Sequence, residues 1–126
     1  MKILITGTNG FVGRNIKEHL QSRYEKIYSP KRQQLNLLET NSIEEYLKKN
    51  NFDVVIHCGV TLTSIDQNLK MYFNIERCSE FFGKLICIGS GAEFDSRNYV
   101  SKMKEDYLGK HIPSKSDIYG FSKYEI

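Results

Sequence analysis

The chain has 126 residues, 40% hydrophobic and 26% charged, with a formal charge of +3 from 18 basic and 15 acidic side chains. That length accommodates a single core and one domain spanning residues 1–126, and no apolar run approaches the roughly 18 residues that a membrane-spanning helix needs. Basic residues are scattered rather than gathered into a stripe, which argues against nucleic acid as a partner; Lys31-Arg32 and Lys48-Lys49 are too short for that purpose. Met1-Lys2 leads straight into an apolar run without the features of a signal peptide, so the expected location is cytoplasmic, with no membrane partner. Cys58, Cys78 and Cys87 are odd in number and form no C-x-x-C pair, so they are expected to be reduced packing residues, and no metal site is implied.

Short β-branched runs alternate with longer amphipathic segments, the pattern of strands joined through crossover helices into a parallel sheet. Lys2 to Thr6 reads as a first strand. A helix over residues 11–24 follows, with Val12, Ile16 and Leu20 on one face. Ile27-Tyr28 is a short second strand, ended by Pro30. Ser42-Ile43-Glu44-Glu45 matches a capping box, so a helix is predicted from about Ile43, with Ile43, Tyr46 and Leu47 inward and its end near Asn50-Asn51. Asp53 to His57 is a continuous apolar strand of the kind covered on both faces. A helix over about 66–82 is expected to bury Leu69, Phe73 and Phe82, and Lys84 to Ile88 forms a fourth strand. From about Asp95 to Asp117 the chain is polar with weak periodicity, predicting loop with at most one short helix. Long irregular segments of this kind are often functional.

Two constellations carry chemistry. The stretch TGTNGFVG, residues 6–13, places Gly7, Gly10 and Gly13 between a strand and a helix. Without a Cβ there, backbone can come within van der Waals reach of a ligand phosphate, and a helix N-terminus supplies unpaired N–H donors. Gly7 would make the tight turn, Gly10 would permit close approach, and Gly13 would let the helix pack on the sheet. Phe11 and Val12 would offer backbone N–H groups to a pyrophosphate. An ordinary strand-to-helix turn also uses glycine; the flanking βαβ pattern favours a dinucleotide site.

The second constellation is Tyr119-Gly120-Phe121-Ser122-Lys123. Residues four apart share a helix face about 6 Å apart along the axis. A neighbouring ammonium stabilises a phenolate, which suits the tyrosine to proton exchange with a sugar or alcohol oxygen, as carbonyl reduction requires.

TGTNGFVG, DVVIHCGV, ICIGSGAEFD and YGFSK, in this order, resemble the N-terminal half of the extended short-chain dehydrogenase/reductase family, the NAD(P)-dependent nucleotide-sugar epimerases, dehydratases and reductases. The resemblance covers practically the whole chain and implies a Rossmann-like doubly wound α/β fold with a parallel sheet, truncated by comparison with full-length members. It assigns Gly7, Gly10 and Gly13 to the cofactor loop, and Cys58, Gly59 and Val60 to the segment passing the cofactor ribose. Asn36 and Leu37 fall beside the adenine, where the family usually has an acidic residue in place of Asn36. Asn74 matches a structural asparagine.

Tyr119 becomes the acid/base, while Lys123 binds the nicotinamide ribose and tunes Tyr119. The family's hydroxyl pair at the end of the fourth strand is replaced by Ser90-Gly91, so either Ser90 takes over contact with the reacting oxygen or that hydroxyl is missing. Lys31 and Arg32 stand where NAD-preferring members carry an acidic residue, and favour NADP over NAD. Residues 35–39 further resemble GDP-fucose synthase-type reductases.

The resemblance implies a nucleotide-sugar substrate, and family members often dimerise through helices of this half, which is compatible with a homodimer. The chain ends at Ile126, three residues beyond Lys123. The expectation is a cofactor-binding portion without turnover of its own, from a longer enzyme or a natural short form. The alternative is a non-catalytic dinucleotide-binding sensor or assembly module. His57 reads as a packed histidine rather than a catalytic one, His19 and His111 show no ligand spacing, Glu93 reads as solvated or salt-bridged in preference to catalytic, and Ser122 as compatible with close helix packing.

Overall fold

Three successive apolar residues, Ile3, Leu4 and Ile5, give a strand no polar face, so it must be covered on both sides. In the computed structural model, which describes residues 1–126, they form the middle of β1 (Lys2–Thr6) and none is more than 3% exposed. The chain continues through α1 (Phe11–Gln21), β2 (Lys26–Tyr28), α2 (Thr40–Asn50), β3 (Phe52–His57), α3 (Ile65–Glu76), β4 (Phe82–Cys87) and α4 (Ile118–Glu125). All strand pairings are parallel and the sheet order is β2-β1-β3-β4. Thr6 pairs with His57, and His57 with Cys87, so three strands end level at their carboxyl edge. Strand order reverses at β1, whose neighbours β2 and β3 lie on opposite sides. The carboxyl ends of β1 and β3 therefore flank a topological switch point, the ligand-binding position of open α/β sheets. No helix is long and apolar enough to cross a membrane.

The residues gather into two compact units, Met1–Val60 with Lys70–Ile88, and Thr61–Leu69 with Gly89–Ile126. The first contains the sheet. One of its cores joins Leu4, Val55 and Leu85 to Ile43 and Leu47 of α2 and Ile75 of α3; the other joins Ile3, Ile5 and Ile56 to Ile16 and Leu20 of α1. Each fully buried Leu, Ile or Val in these layers contributes roughly 1.5–3 kcal/mol by leaving water.

Several predicted elements shift. The inward face of α1 is Gly13, Ile16 and Leu20; Val12, expected inward, is 43% exposed because Gly13 occupies the close contact. The helix stops at Gln21 rather than Tyr24, since the N–H groups of Arg23 and Tyr24 both turn back to the Leu20 carbonyl.

The capping box at Ser42 does not form: α2 begins at Thr40, and Ser42 Oγ accepts the Asn36 N–H at 3.1 Å. Ile43 and Leu47 nevertheless face inward as predicted, and Asn51 closes the helix in the left-handed region at φ 50°. The third helix does not reach Phe82. It ends at Glu76, a 3-10 turn occupies Ser79–Phe81, and Phe82 opens β4. Its buried positions include Asn68, Asn74 and Ile75, whereas Phe73 is 45% exposed. Two asparagines on the inward face, both hydrogen-bonded, disguised the apolar period.

In the second unit the stretch from Gly89 to Asp117 contains only 3-10 turns, at Gly91–Glu93, Ser96–Asn98 and Glu105–Tyr107. The eight residues of α4 are too few to be stable alone. Docking supports them: Gly120 and Ser122 are buried, and a side chain at Gly120 would meet the Ala92 carbonyl oxygen at 2.6 Å.

Candidate functional site

The glycine turn leaves the carboxyl end of β1 at the switch point. Gly7 has φ +71°, a conformation that costs L-residues roughly 1–2 kcal/mol. A Cβ there would stand 2.6 Å from both the Cys58 carbonyl carbon and the Gly59 nitrogen. This turn is thus pressed against the chain leaving β3, and the structure brings Gly7 together with Cys58 and Gly59. A Cβ on Gly13 would run into the Gly7 carbonyl oxygen and lie 2.8 Å from its carbon. Gly13 therefore seats α1 on the turn.

Gly10 differs. A Cβ there would meet only the Gly7 oxygen, at an ordinary 3.4 Å, and its φ of −82° suits any residue. No steric contact within the chain demands glycine at this position, although glycine is a favoured N-cap residue. Gly10 is also the N-cap of α1, provides no side-chain cap, and is followed by no acidic residue in the first turn. The Gly10 N–H is turned inward to the Gly7 oxygen at 3.1 Å. Phe11 and Val12 are exposed at this helix end, 75% and 43% respectively. Backbone donors, positive helix-dipole potential and no competing carboxylate make a cradle suited to a phosphate-bearing group.

Around the turn, Leu37 lies 3.5 Å from where a Gly59 side chain would begin. Its carbonyl accepts from Asn74 Nδ2 at 3.1 Å, and Asn74 Oδ1 accepts from the Thr40 hydroxyl, so Asn74 ties the segment leading into α2, and the first residue of α2, to α3. The Asn36 side chain is used locally, donating to Glu39 Oε1 at 2.8 Å and accepting the Leu38 N–H. Lys31 and Arg32 are exposed on the chain that leaves the carboxyl end of β2. Val60 is 41% exposed.

His57 is 3% exposed and its Nδ1 lies 2.7 Å from the hydroxyl of Thr6, itself 4% exposed. It is the packed, hydrogen-bonded histidine expected. The Thr6 partner was not anticipated, although two polar residues that each end an apolar strand are its sequence signal.

The second unit holds the other predicted residues. Ser90 caps the turn Gly91–Glu93: its Oγ accepts the Ala92 N–H at 3.2 Å, and Glu93 Oε1 accepts the Ser90 N–H at 2.8 Å. Glu93 is thus a capping carboxylate rather than a solvated one. At Gly91 an added Cβ would meet no atom within 4 Å.

Tyr119 and Lys123 both lie on α4, whose amino end is capped by Asp117 accepting the Gly120 N–H at 2.9 Å. Ser122, between them, is fully buried. Its hydroxyl donates to the Ile118 carbonyl and accepts from Asn68 Nδ2 at 3.0 Å. Asn68 in turn accepts the Thr61 N–H at 2.7 Å and donates to the Thr61 carbonyl at 2.9 Å. This hub escaped sequence reasoning because a lone asparagine on a helix carries no signal.

Asp95 accepts from the Arg97 guanidinium at 2.8 Å and from Asn98 at 2.7 Å. The Arg97 hydrogen bond is the largest influence holding its carboxyl down, at about 2. None of the three cysteines is in a disulfide, and burial pushes the Cys78 thiol up. No group of three or more His, Cys, Asp or Glu side chains is disposed to hold a metal ion.

Residues 1–68 match the protein family described as the RmlD substrate binding domain. A GDP-L-colitose synthase from Yersinia pseudotuberculosis is 38% identical over 55% of this chain and 22% of its own length. Methionine adenosyltransferase 2 subunit beta from Bos taurus is 24% identical over 98% of this chain and 41% of its own. The solved structure of a GDP-mannoheptose C4 reductase from Campylobacter jejuni, with NADP bound, superposes with a TM-score of 0.86 at 24% identity, covering 98% of this chain and 41% of that one. The chain therefore spans less than half the length of these relatives. At such identity the superposition establishes the Rossmann-like fold, while the sequence match over more than half the residues establishes descent. The chain belongs to the RmlD substrate binding domain family, as its resemblance to the extended short-chain dehydrogenases/reductases implied.

Proposed function

We propose that this chain is the dinucleotide-binding part of an NADP-dependent nucleotide-sugar reductase. The observation that carries this reading is the contrast among the glycines: Gly7 and Gly13 are required by the chain's own packing, and Gly10 is not. An uncapped helix end at the switch point supports it. The names of a GDP-L-colitose synthase and of a GDP-mannoheptose C4 reductase with NADP bound point the same way. Gly10 and the Phe11 and Val12 amides would hold the pyrophosphate, Leu37 and Asn36 would border the adenine, and Cys58, Gly59 and Val60 would pass the ribose. Lys31 and Arg32 supply the positive charge a 2′-phosphate needs and favour NADP over NAD.

When bound, the nicotinamide supplies hydride. The carbonyl oxygen of the sugar must then gain a proton, and Tyr119 is the proposed donor, with Lys123 as the cation beside it and the Ser90 hydroxyl as a second donor to that oxygen.

The test is thermal unfolding with NADP, NAD and GDP-linked sugars. A dinucleotide at a hundred times its dissociation constant stabilises by about 2.7 kcal/mol. NADP is expected to raise the melting temperature more than NAD. No shift with either overturns the reading.

A second reading, a dinucleotide-binding module without turnover, is favoured by Gly91. It brings no hydroxyl to a position with open space for one. Likeness over 98% of the chain to a protein named as a subunit, methionine adenosyltransferase 2 subunit beta, supports it too. NADPH oxidation dependent on a 4-keto nucleotide sugar excludes this second reading.

A further inference from the structure

Thr6 and His57 are the last residues of β1 and β3 and stand opposite each other in the register. They continue the row of Leu4 and Val55, so they lie at the end of the core that faces α2 and α3. Both are almost completely buried, and their side chains meet at 2.7 Å. The hydroxyl both donates and accepts, so this bond forms with either tautomer of the imidazole.

Immediately beyond the pair, β1 becomes the glycine turn and β3 becomes the Cys58-Gly59-Val60 segment. The Cys58 N–H donates to the Thr6 carbonyl at 3.3 Å, and the Ile88 N–H donates to the His57 carbonyl at 3.3 Å. The imidazole Cε1 lies 3.1 Å from where a Gly59 side chain would begin, so the ring is the floor on which Gly59 rests. Gly7 packs against this same Cys58–Gly59 peptide from the β1 side.

The two segments are thus joined at their base by this buried side-chain contact as well as by the Cys58 N–H bond to the Thr6 carbonyl. From this geometry we infer that the Thr6–His57 pair positions the dinucleotide site, holding the glycine turn and the Cys58-Gly59-Val60 segment at the separation that binding requires. The inference rests on the reading of that site as a dinucleotide site. His57 is in this account a positioning residue, touching the cradle and not the reacting atoms.

Isosteric variants separate this role from simple packing. Thr6→Val keeps the volume and the β-branch and removes the hydroxyl, whereas Thr6→Ser keeps the hydroxyl. Dissociation constants for NADP are measured well below the melting temperature, where each variant is folded. Thr6→Val is expected to bind about fivefold to tenfold more weakly, the fold-change of roughly one lost hydrogen bond, and Thr6→Ser to bind within about twofold of the parent. Equal affinity in Thr6→Val, or equal weakening in both, overturns the inference, because a purely structural pair lowers the melting temperature without changing the affinity of the folded protein. Should Thr6→Val fail to fold, His57→Phe, which keeps a ring and loses its nitrogens, carries the same comparison.

A ligand-free readout makes failure of the inference distinguishable from failure of the dinucleotide reading. Hydrogen exchange at the Cys58 and Gly59 amides is expected to accelerate in Thr6→Val relative to Val55 in mid-strand, and unchanged exchange there overturns the positioning role. If the parent protein binds no NADP or NAD, the dinucleotide reading falls, and the exchange comparison alone decides whether the pair sets the loop spacing.

Discussion

Replacing Gly10 by alanine separates what the fold needs from what a ligand needs. The new methyl would meet only the Gly7 oxygen at 3.4 Å, an ordinary contact, and the φ of −82° is open to alanine. The one structural loss is at the N-cap, where alanine is inferior to glycine by roughly 0.5–1 kcal/mol. For a domain of this size that lowers the melting temperature by about 2–6 °C. A phosphate resting on the Gly10 Cα, however, would be displaced by a methyl, and the affinity for NADP is expected to fall by at least about tenfold, or 1.4 kcal/mol.

Gly13→Ala is the contrasting control. Its methyl would overlap the Gly7 carbonyl group and approach Thr8 Cα at 3.0 Å, all backbone that cannot swing aside. Overpacking of that kind costs roughly 1–3 kcal/mol or more, so this variant should lose stability and affinity together. The assay is titration of each folded variant with NADP alongside a thermal melt. Parental affinity in Gly10→Ala would refute the argument that an external phosphate accounts for this glycine.

Three further outcomes are expected. Replacing Lys31 and Arg32 together by alanine should reduce the preference for NADP over NAD, measured as the ratio of the two dissociation constants, with little effect on the melt because both side chains are exposed. Asn68→Leu fits the volume but leaves the Thr61 N–H and C=O and the Ser122 hydroxyl without their buried partner, so chemical denaturation should show a loss of about 1–3 kcal/mol.

The third concerns Asp95, held at about 2 by Arg97 and Asn98 against about 3.9 in an unfolded chain. A depressed carboxyl adds stability that is complete above its unfolded value and disappears as pH falls through the folded value. Asp95→Asn should therefore flatten the pH dependence of stability between about pH 4 and pH 2, and an unaltered acid limb would show that the Arg97 pairing does not survive in solution.

What was legible along the chain depended on whether one residue's neighbours in sequence were also its constraints. Strands β1 and β3 were readable because both faces are covered over most of their length, with Ile3 to Thr6 and Val55 to His57 buried without a break. The glycine turn was readable because its spacing, strand and helix lie in one short stretch. The Tyr119–Lys123 spacing means nothing alone and drew its interest from lying downstream of the glycine turn and the four strands. The capping box at Ser42 failed because the serine hydroxyl found the Asn36 N–H, a competitor just outside the motif. The third helix was overextended because Asn68 and Asn74 face inward, and their polar side chains are satisfied by residues up to 54 positions away.

By itself, then, the amino-acid sequence determined the parallel α/β plan and the position of the glycine turn at the end of the first strand, since each follows from local periodicity or the chemistry of a few adjacent residues. Only the tertiary structure decided which glycines the chain's own packing requires, that His57 and Thr6 form one buried pair, and that Asn68 anchors Ser122. These depend on the close approach of backbone and side chains far apart in sequence, and distances of that kind are settled by packing.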